Sequence, residues 1–178
     1  MDTTKAAEFE IPLRARSGKV CGVAIVDAVD ADLADHQWRM GHGYAVRWMG
    51  ERAGSMHRQV LERSLGRPLA VGLFADHING NKLDNRRSNL REATRAESTL
   101  NRGPHGTWRG RVTASSLKGV YARKGSRRRP WRAQIKCDGK QIYLGVFATE
   151  PEAAAAYDAA ALRLHGSFAR LNRTVVAQ

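Results

Sequence analysis

The chain has 178 residues, with 30 lysines and arginines against 17 aspartates and glutamates, and a formal net charge of +13 at pH 7. This excess favours a polyanionic partner, and nucleic acid fits better than an anionic membrane surface because no amphipathic helix carries the charge. No apolar run could span a bilayer, residues 1–5 lack the apolar core of a signal peptide, and two distant cysteines cannot form a disulfide framework, so the sequence predicts a cytoplasmic protein.

The first part of the chain has short apolar runs separated by glycines, a pattern typical of strands. After a loose leader at residues 1–10, we expect a β-rich segment from Ile11 to about Arg47. Four aspartates in this segment lack the regular spacing and the glycine bend of a calcium loop. We therefore interpret them as an acidic surface turn and assign it no catalytic or binding role. The strand candidates are Val20, Gly22–Val26 and Tyr44–Trp48, and the aspartates are Asp27, Asp30, Asp32 and Asp35.

A short helix is predicted from Met56 to Leu65, because apolar residues recur on one face and Gly66 follows as a stop signal. His57 lies at the start of this helix and could contact a phosphate or ligate a metal. A packed histidine bonded to the backbone is the favoured interpretation, because the motif that follows already supplies a histidine. The residues of the apolar face are Met56, Val60, Leu61 and Leu65.

The densest group of polar residues begins where an apolar run ends. Asp76 and His77 therefore lie at the end of a predicted strand, and their side chains point to opposite faces. Asn79-Gly80 predicts a turn, because both residues accept positive φ. A short strand over Leu90–Ala93 and a capping box over Thr94–Glu97 complete a plan of strand, loop, strand and helix.

This segment closely resembles the HNH nuclease motif of phage homing endonucleases, since several fixed spacings match together between Tyr44 and Arg102. The resemblance implies a ββα-metal fold that binds one divalent cation. It would make His77 the general base, Asp76 a metal ligand and Asn89 the residue that holds the histidine loop. The matching groups are Asp76-His77-Ile78-Asn79-Gly80, Asp84-Asn85-Arg86, Asn89-Leu90-Arg91 and, upstream, His57-Arg58.

These residue types suit phosphodiester hydrolysis, which needs an activated water and relief of charge on the phosphate. A neutral imidazole with a pKa near ~6.5 can take the proton. Mg²⁺, or Mn²⁺ in its place, needs few protein ligands because water and phosphate complete its shell. The family's second metal ligand, usually Asn or His, falls on Ser98 here. A serine hydroxyl is a weaker ligand, so a DNA-binding regulatory or accessory protein with a weakened nuclease stays open as the alternative.

Residues 103–116 are interpreted as a linker rich in Gly, Pro and Ser, residues 117–172 as a second domain, and residues 173–178 as a tail. Three strands and an alanine-rich helix predict a three-stranded antiparallel sheet packed on one helix. His165 is expected to interact with the carbonyl end of that helix. The predicted strands are Gly119–Arg123, Trp131–Lys136 and Gln141–Phe147, with a tight turn at Asp138-Gly139 and a capping box at Thr149–Glu152.

One face of this sheet is polar and basic, because Arg132, Gln134 and Lys136 alternate with the apolar Ala133 and Ile135. Such a face can enter the major groove, where arginine and glutamine read base edges and lysine pairs with phosphates.

The C-terminal domain resembles the Apetala/ethylene-response-factor type of DNA-binding domain, which reads DNA with its sheet. The resemblance rests on Gly119-Val120, Trp131–Ile135, Tyr143–Phe147, Glu152-Ala153-Ala154, Ala156-Tyr157-Asp158 and Gly166–Asn172. Departures from the plant pattern at Tyr121, Gln134 and Gln141 predict a different target sequence. Together, the alternation and the resemblance give the expected DNA contacts Lys118, Arg123, Arg132, Gln134, Lys136, Gln141 and Tyr143.

The sequence thus predicts an α+β protein with a β-rich N-terminal segment and a ββα-metal nuclease module in residues 11–102 (motif core 57–102), followed by the sheet-and-helix domain. We expect a monomeric, site-directed DNA endonuclease of homing type that acts on double-stranded DNA with one divalent cation and has no small-molecule substrate. RNA binding or a scaffold role would explain the charge, but not Asp76, His77 and Asn89 together.

Overall fold

The computed structural model describes residues 7–50, 52–103, 107–108, 111–112, 115–123, 125 and 128–172. The chain folds as two compact units, Met1–Ser98 and Thr99–Gln178, each with helices and small antiparallel sheets. This mixed content agrees with the predicted α+β class. Within the described ranges, no helix has the length and apolar character needed to cross a membrane.

The first unit begins with a hairpin and continues through a small sheet and a helix toward a second hairpin. Strand β1 begins at Glu8, inside the predicted leader, because residues 8–10 pair with the end of β2; residues 1–6 lie outside the described part. The elements are β1 (Glu8–Arg14), β2 (Val20–Asp27), a 3₁₀ helix (Ala28–Asp35), β3 (Arg39–Gly41), β4 (Tyr44–Met49), β5 (Arg52–Ser55), α1 (Met56–Leu65), β6 (Leu73–His77), β7 (Leu90–Thr94) and α2 (Arg95–Leu100).

The core of this unit is formed by β1, β2, β4 and α1. The predicted helix α1 is confirmed, and Gly66 ends it with a φ of 65°. Leu65 was expected on the apolar face, but it is 37% exposed because it lies in the last turn, beyond the packed part of the helix. The buried residues are Ile11, Leu13, Ala24, Val26, Leu33, Trp38, Ala45, Met56, Val60, Leu61, Leu69 and Leu90.

The prediction of an acidic surface turn is wrong for Asp30, whose side chain is 0% exposed. Arg87 donates to Asp30 from Nε at 2.7 Å and from Nη2 at 3.0 Å, and Arg63 approaches it at 3.5 Å. Asp27 accepts a bond from the Arg87 backbone N–H at 2.8 Å. The aspartate can be buried because arginines from remote parts of the chain compensate its charge.

The second unit contains the predicted sheet packed on one helix. Strands β10 (Val120–Ala122), β11 (Trp131–Cys137) and β12 (Lys140–Phe147) form an antiparallel sheet in that order, covered by α3 (Glu150–His165). Two short paired strands, β8 (Thr107–Trp108) and β9 (Arg111–Val112), lie within the stretch interpreted as a linker. Residues 104–106, 109–110, 113–114 and the tail 173–178 are outside the described part.

Local signals in this unit behave as expected, with one exception. The turn is confirmed by the positive φ of Asp138 (48°) and Gly139 (78°), and Thr149 caps α3 by accepting the Glu152 N–H at 3.3 Å. His165 does not bind the end of its own helix. Its Nε2 lies 3.0 Å from the carbonyl oxygen of Lys136 in β11, because α3 packs directly on that strand.

Candidate functional site

Asp76 and His77 occupy the last two positions of β6, where they pair with Arg91 and Leu90 of β7. Both side chains are nearly buried, with 8% of Asp76 and 5% of His77 exposed. Because neighbouring strand residues point to opposite faces, the hairpin presents the carboxylate and the imidazole side by side in two environments. The neighbours on each face therefore set the protonation and the hydrogen bonds of the His77 imidazole and the Asp76 carboxylate.

The His77 ring is held by Asn85, which is fully buried. The Nε2 atom lies 3.1 Å from Oδ1 of Asn85, while the Asn85 amide nitrogen donates to the Leu83 carbonyl at 3.2 Å. An amide oxygen only accepts, so Nε2 of His77 carries the proton and Nδ1 carries the lone pair. Burial lowers the pKa of His77 below its ordinary value. The geometry therefore presents a neutral imidazole with a defined tautomer.

Asn85 was quoted in the motif but was given no role from sequence. It lies eight residues from His77, in an irregular loop whose conformation no short-range pattern predicts. Backbone bonds to Ile25 of β2 fix that loop: Ile25 donates to Leu83 at 2.8 Å, and the Asn85 N–H donates to Ile25 at 2.7 Å. Long-range backbone contacts, rather than a local sequence pattern, therefore bring Asn85 to the His77 ring.

Asn89 joins the two ends of the loop that follows His77. Its side-chain nitrogen donates to the Asp84 carbonyl at 2.7 Å, and its Oδ1 accepts the Asn79 N–H at 3.0 Å. Arg86 donates to both carboxylate oxygens of Asp84 at 2.6–2.7 Å, and that bond holds the pKa of Asp84 below its usual range. These contacts tie Asn89 to Asn79 and Asp84, and the loop-holding role of Asn89 stays a prediction.

Asp76 is oriented by two side chains. Arg91 donates to Oδ2 from Nε at 3.0 Å and from Nη2 at 2.9 Å, and the Ser98 hydroxyl donates to Oδ1 at 3.0 Å. The structure thus places the two predicted metal ligands next to each other. Arg91 was quoted in the motif without a role, and only the pairing of β6 with β7 brings it to the carboxylate.

The described part of the chain contains no group of three or more His, Cys, Asp or Glu side chains that could hold a metal ion. The Asp76 Oδ1 and Ser98 hydroxyl are nevertheless adjacent hard oxygen donors. Mg²⁺ commonly uses one or two carboxylates and completes its shell with water and phosphate oxygens. The donor set therefore fits such an ion, and it does not fit a zinc site built from His and Cys.

His57 packs on the candidate base, as the favoured interpretation expects. Its ring centroid lies 4.9 Å from that of His77 and 4.9 Å from that of Tyr44. The expected backbone bond is not found at Nδ1, which is buried without a hydrogen-bond partner in the described part of the chain. Burial, reinforced by His77 and Arg58, lowers the pKa of His57 to about 3.

We expect His57 to make stability depend on pH. The pKa is about 3 in the folded protein and near 6.5 in a solvated chain, so below pH 6.5 the unfolded state binds a proton that the folded state does not. The free energy of unfolding then falls as pH falls from 6.5 toward 3, by about 2 kcal/mol at pH 5. Urea unfolding at pH 7 and pH 5 measures the change for the wild type and His57→Phe. Equal losses in the two proteins would contradict this assignment.

The predicted DNA contacts of the second unit fall largely on one face. Across the sheet Gln134 pairs with Tyr143 and Lys136 with Gln141, while a register shift after Ala133 keeps these pairs on the face opposite α3. Arg132 shares this face and lies 5.6 Å from the Tyr121 ring. We call this surface the open sheet face: Tyr121, Arg132, Gln134, Lys136, Gln141 and Tyr143.

Two predicted contacts lie off the open sheet face. The Lys118 ammonium is half-buried and donates to the Leu100 carbonyl, and burial lowers its pKa to about 8. Arg123 is exposed just beyond the end of β10, and its backbone N–H donates to Pro130 at 2.7 Å. The Lys118 ammonium is thus engaged by the protein's own backbone, whereas the Arg123 side chain is accessible.

Comparison with known proteins agrees with this geometry. The family model described as HNH endonuclease matches residues 55–100, which include β6, β7 and α2. The chain is 30% identical over 143 residues to Uncharacterized HNH endonuclease L560 of Acanthamoeba polyphaga mimivirus, covering 79% of this chain and 69% of the relative. It is 31% identical over 129 residues to Protein 3.8 of Escherichia phage T7, covering 67% of this chain and 91% of that protein. No solved structure gives a significant match.

Proposed function

Because this chain belongs to the HNH endonuclease family, we propose that it is a metal-dependent DNA endonuclease of homing type whose active site is built on β6, β7 and α2. One observation carries the proposal: a neutral, oriented His77 lies beside a carboxylate that touches Ser98. The two side chains supply the base and the hard oxygen donors that phosphodiester hydrolysis needs.

His77 is the general base in this proposal. Its Nδ1 takes a proton from a water molecule as the water oxygen attacks the phosphorus atom and the bond to the 3′ oxygen breaks. Asn85 holds the proton on Nε2, so the lone pair is on the nitrogen that must accept. His57 and Tyr44 pack beside the ring and help to bury it, and burial favours the neutral form before the reaction.

Asp76 and Ser98 would hold the divalent cation, Mg²⁺ or Mn²⁺. The bound ion would stabilise charge on the phosphate and on the leaving 3′ oxygen. Arg91 acts through Asp76, because its paired N–H groups fix the carboxylate and leave Oδ1 directed at Ser98. Asn89 is a positioning residue, since its contacts close the loop that carries Asn85.

The second unit would supply DNA binding and site selection through the open sheet face. The face combines two cations, two amides and two exposed aromatic rings, with Tyr143 61% and Tyr121 41% exposed. Arginine and glutamine can read base edges, and lysine can pair with phosphates. The resemblance of this segment to the Apetala/ethylene-response-factor type of domain supports the same role.

Nicking of supercoiled plasmid DNA by the full chain tests the nuclease. We expect conversion to the open circular form with Mg²⁺ or Mn²⁺ and none with excess chelator, because the chelator removes the ion that Asp76 and Ser98 would hold. Ser98→Asn should lower the metal concentration needed for half-maximal rate, since an amide oxygen reaches further than a hydroxyl.

The alternative function is DNA binding with a weakened nuclease, and Ser98 in place of Asn or His is the feature that favours it. Binding of duplex DNA without nicking in either metal, together with nicking by Ser98→Asn, would select that function. No nicking by either protein would reject the nuclease assignment.

A further inference from the structure

The sheet β3–β4–β5 has one face that continues outward from the candidate active site. Tyr44, Val46 and Trp48 alternate along β4, and Arg39 of β3 lies opposite Val46, so the four side chains share a face. Ala45, between them, points to the core and is 1% exposed. We call the surface formed by Arg39, Tyr44, Val46 and Trp48 the β4 face.

The inner end of the β4 face lies beside the general base. The Tyr44 ring centroid is 6.0 Å from that of His77, and the Lys82 ammonium lies 4.3 Å above the Tyr44 ring. Lys82 also donates to the His42 carbonyl at 3.0 Å, which keeps the cation at this position. A phosphate approaching His77 would therefore meet a positive charge at the start of the face.

The outer end of the β4 face is exposed and basic. Trp48 is 72% exposed, although tryptophan is rarely so accessible without a partner. Arg39 is exposed and has no hydrogen-bond or ion-pair partner among the residues described. The two side chains border a shallow cleft of ≈ 420 Å³ that also contacts Gln37 and Arg47. An exposed aromatic ring beside an exposed arginine matches the pattern of nucleic-acid contacts.

We propose that the β4 face binds the DNA next to the scissile phosphate, with Arg39 on a backbone phosphate and Trp48 against a sugar or base. This inference rests on the proposed nuclease function, which places the scissile phosphate at His77. From Tyr44 to Trp48 the strand spans about 13 Å. This length equals the rise of roughly four base pairs along a DNA duplex. The occupant is DNA rather than an acidic protein segment, because the face is continuous with the site that must hold a phosphodiester.

Photo-crosslinking locates the contact without requiring cleavage. Duplex DNA with 5-bromouracil in place of thymine is irradiated with the full chain in the presence of chelator, and adducts are identified by mass spectrometry. We expect an adduct on Trp48, in addition to adducts on Tyr121 or Tyr143 of the open sheet face. Trp48→Ala should weaken duplex binding about fivefold, as expected for loss of one aromatic stack.

The salt dependence of binding tests the role of Arg39. Affinity falls as the salt concentration rises, and each phosphate contact adds about 0.9 to the magnitude of the slope of log affinity against log salt concentration. Arg39→Gln should therefore reduce the slope by about 0.9, measured by fluorescence anisotropy with labelled duplex. Arg16→Gln, at an exposed arginine in the β1–β2 turn, removes the same charge elsewhere and should leave the slope unchanged.

Failure of this inference can be told from failure of the nuclease proposal. Normal metal-dependent nicking with no Trp48 adduct and an unchanged slope for Arg39→Gln would overturn the proposed DNA contact of the β4 face and leave the nuclease proposal intact. A Trp48 adduct and a reduced slope, without nicking by the wild type or by Ser98→Asn, would support DNA contact on the β4 face and reject the nuclease.

Discussion

Replacing His77 by alanine is expected to lower the rate of plasmid nicking about 10³-fold, the range in which loss of a general base usually falls. The imidazole has a defined tautomer because its Nε2 faces the Asn85 amide oxygen at 3.1 Å. His57, whose ring packs on that of His77, does not offer a substitute of the same basicity, because burial lowers its pKa to about 3. The rate constant is measured at saturating metal and DNA.

Controls separate loss of the base from loss of the fold. Duplex affinity of His77→Ala in chelator should equal that of the wild type, because His77 belongs neither to the open sheet face nor to the β4 face. The variant should also keep a cooperative unfolding transition. A nicking rate within tenfold of the wild type would show that another group activates the water, and His57→Ala would then be the next variant to measure.

Replacing Asp30 by asparagine is expected to lower the free energy of unfolding of the first unit by about 3 kcal/mol, because it leaves Arg87 without its buried counter-ion. The Asp30 carboxylate is 0% exposed and accepts two bonds from Arg87. Arg87 lies two residues before Asn89, so the loss should also loosen the histidine loop and reduce the nicking rate. Urea unfolding followed by tryptophan fluorescence measures the stability.

Asp32→Asn is the matched control for Asp30. Asp32 lies in the same 3₁₀ helix and pairs with Arg63 at 2.8 Å, but its side chain is 54% exposed. Exposed ion pairs contribute about 0–1 kcal/mol because water and salt screen them. Hydrogen exchange of a peptide covering residues 86–91 should rise in Asp30→Asn and stay unchanged in Asp32→Asn. Similar losses of stability in the two variants would show that burial of the Asp30–Arg87 pair is not the cause.

Local elements of the fold could be predicted from sequence because near neighbours decide them. Thr94 and Glu97 form the capping bonds that their spacing indicates, with the Thr94 N–H donating to Glu97 at 2.8 Å. Alternation in β11 correctly separates the buried Ala133 and Ile135 from the polar side chains on the other face. In each case the interacting groups are within four residues or on one strand, so periodicity carries the information.

Contacts made over long separations could not be predicted in this way. Asp30 meets Arg87 across 57 residues, and the acidic run that contains it has the composition of a surface turn. The bonds from Ile25 to the loop around Asn85 span about as far, and they bring Asn85 to His77. No pattern within a segment specifies which remote strand will pack against it.

Local patterns are enough to predict the strand–loop–strand–helix plan, the pairing of an aspartate with a histidine at a strand end, and the basic alternation of the C-terminal sheet. Folding selects which charge is buried, which amide sets the tautomer of His77 and which face of β4 adjoins the base, because hydrogen bonding and burial set the protonation state and orientation of a side chain. Both depend on groups that only folding brings together.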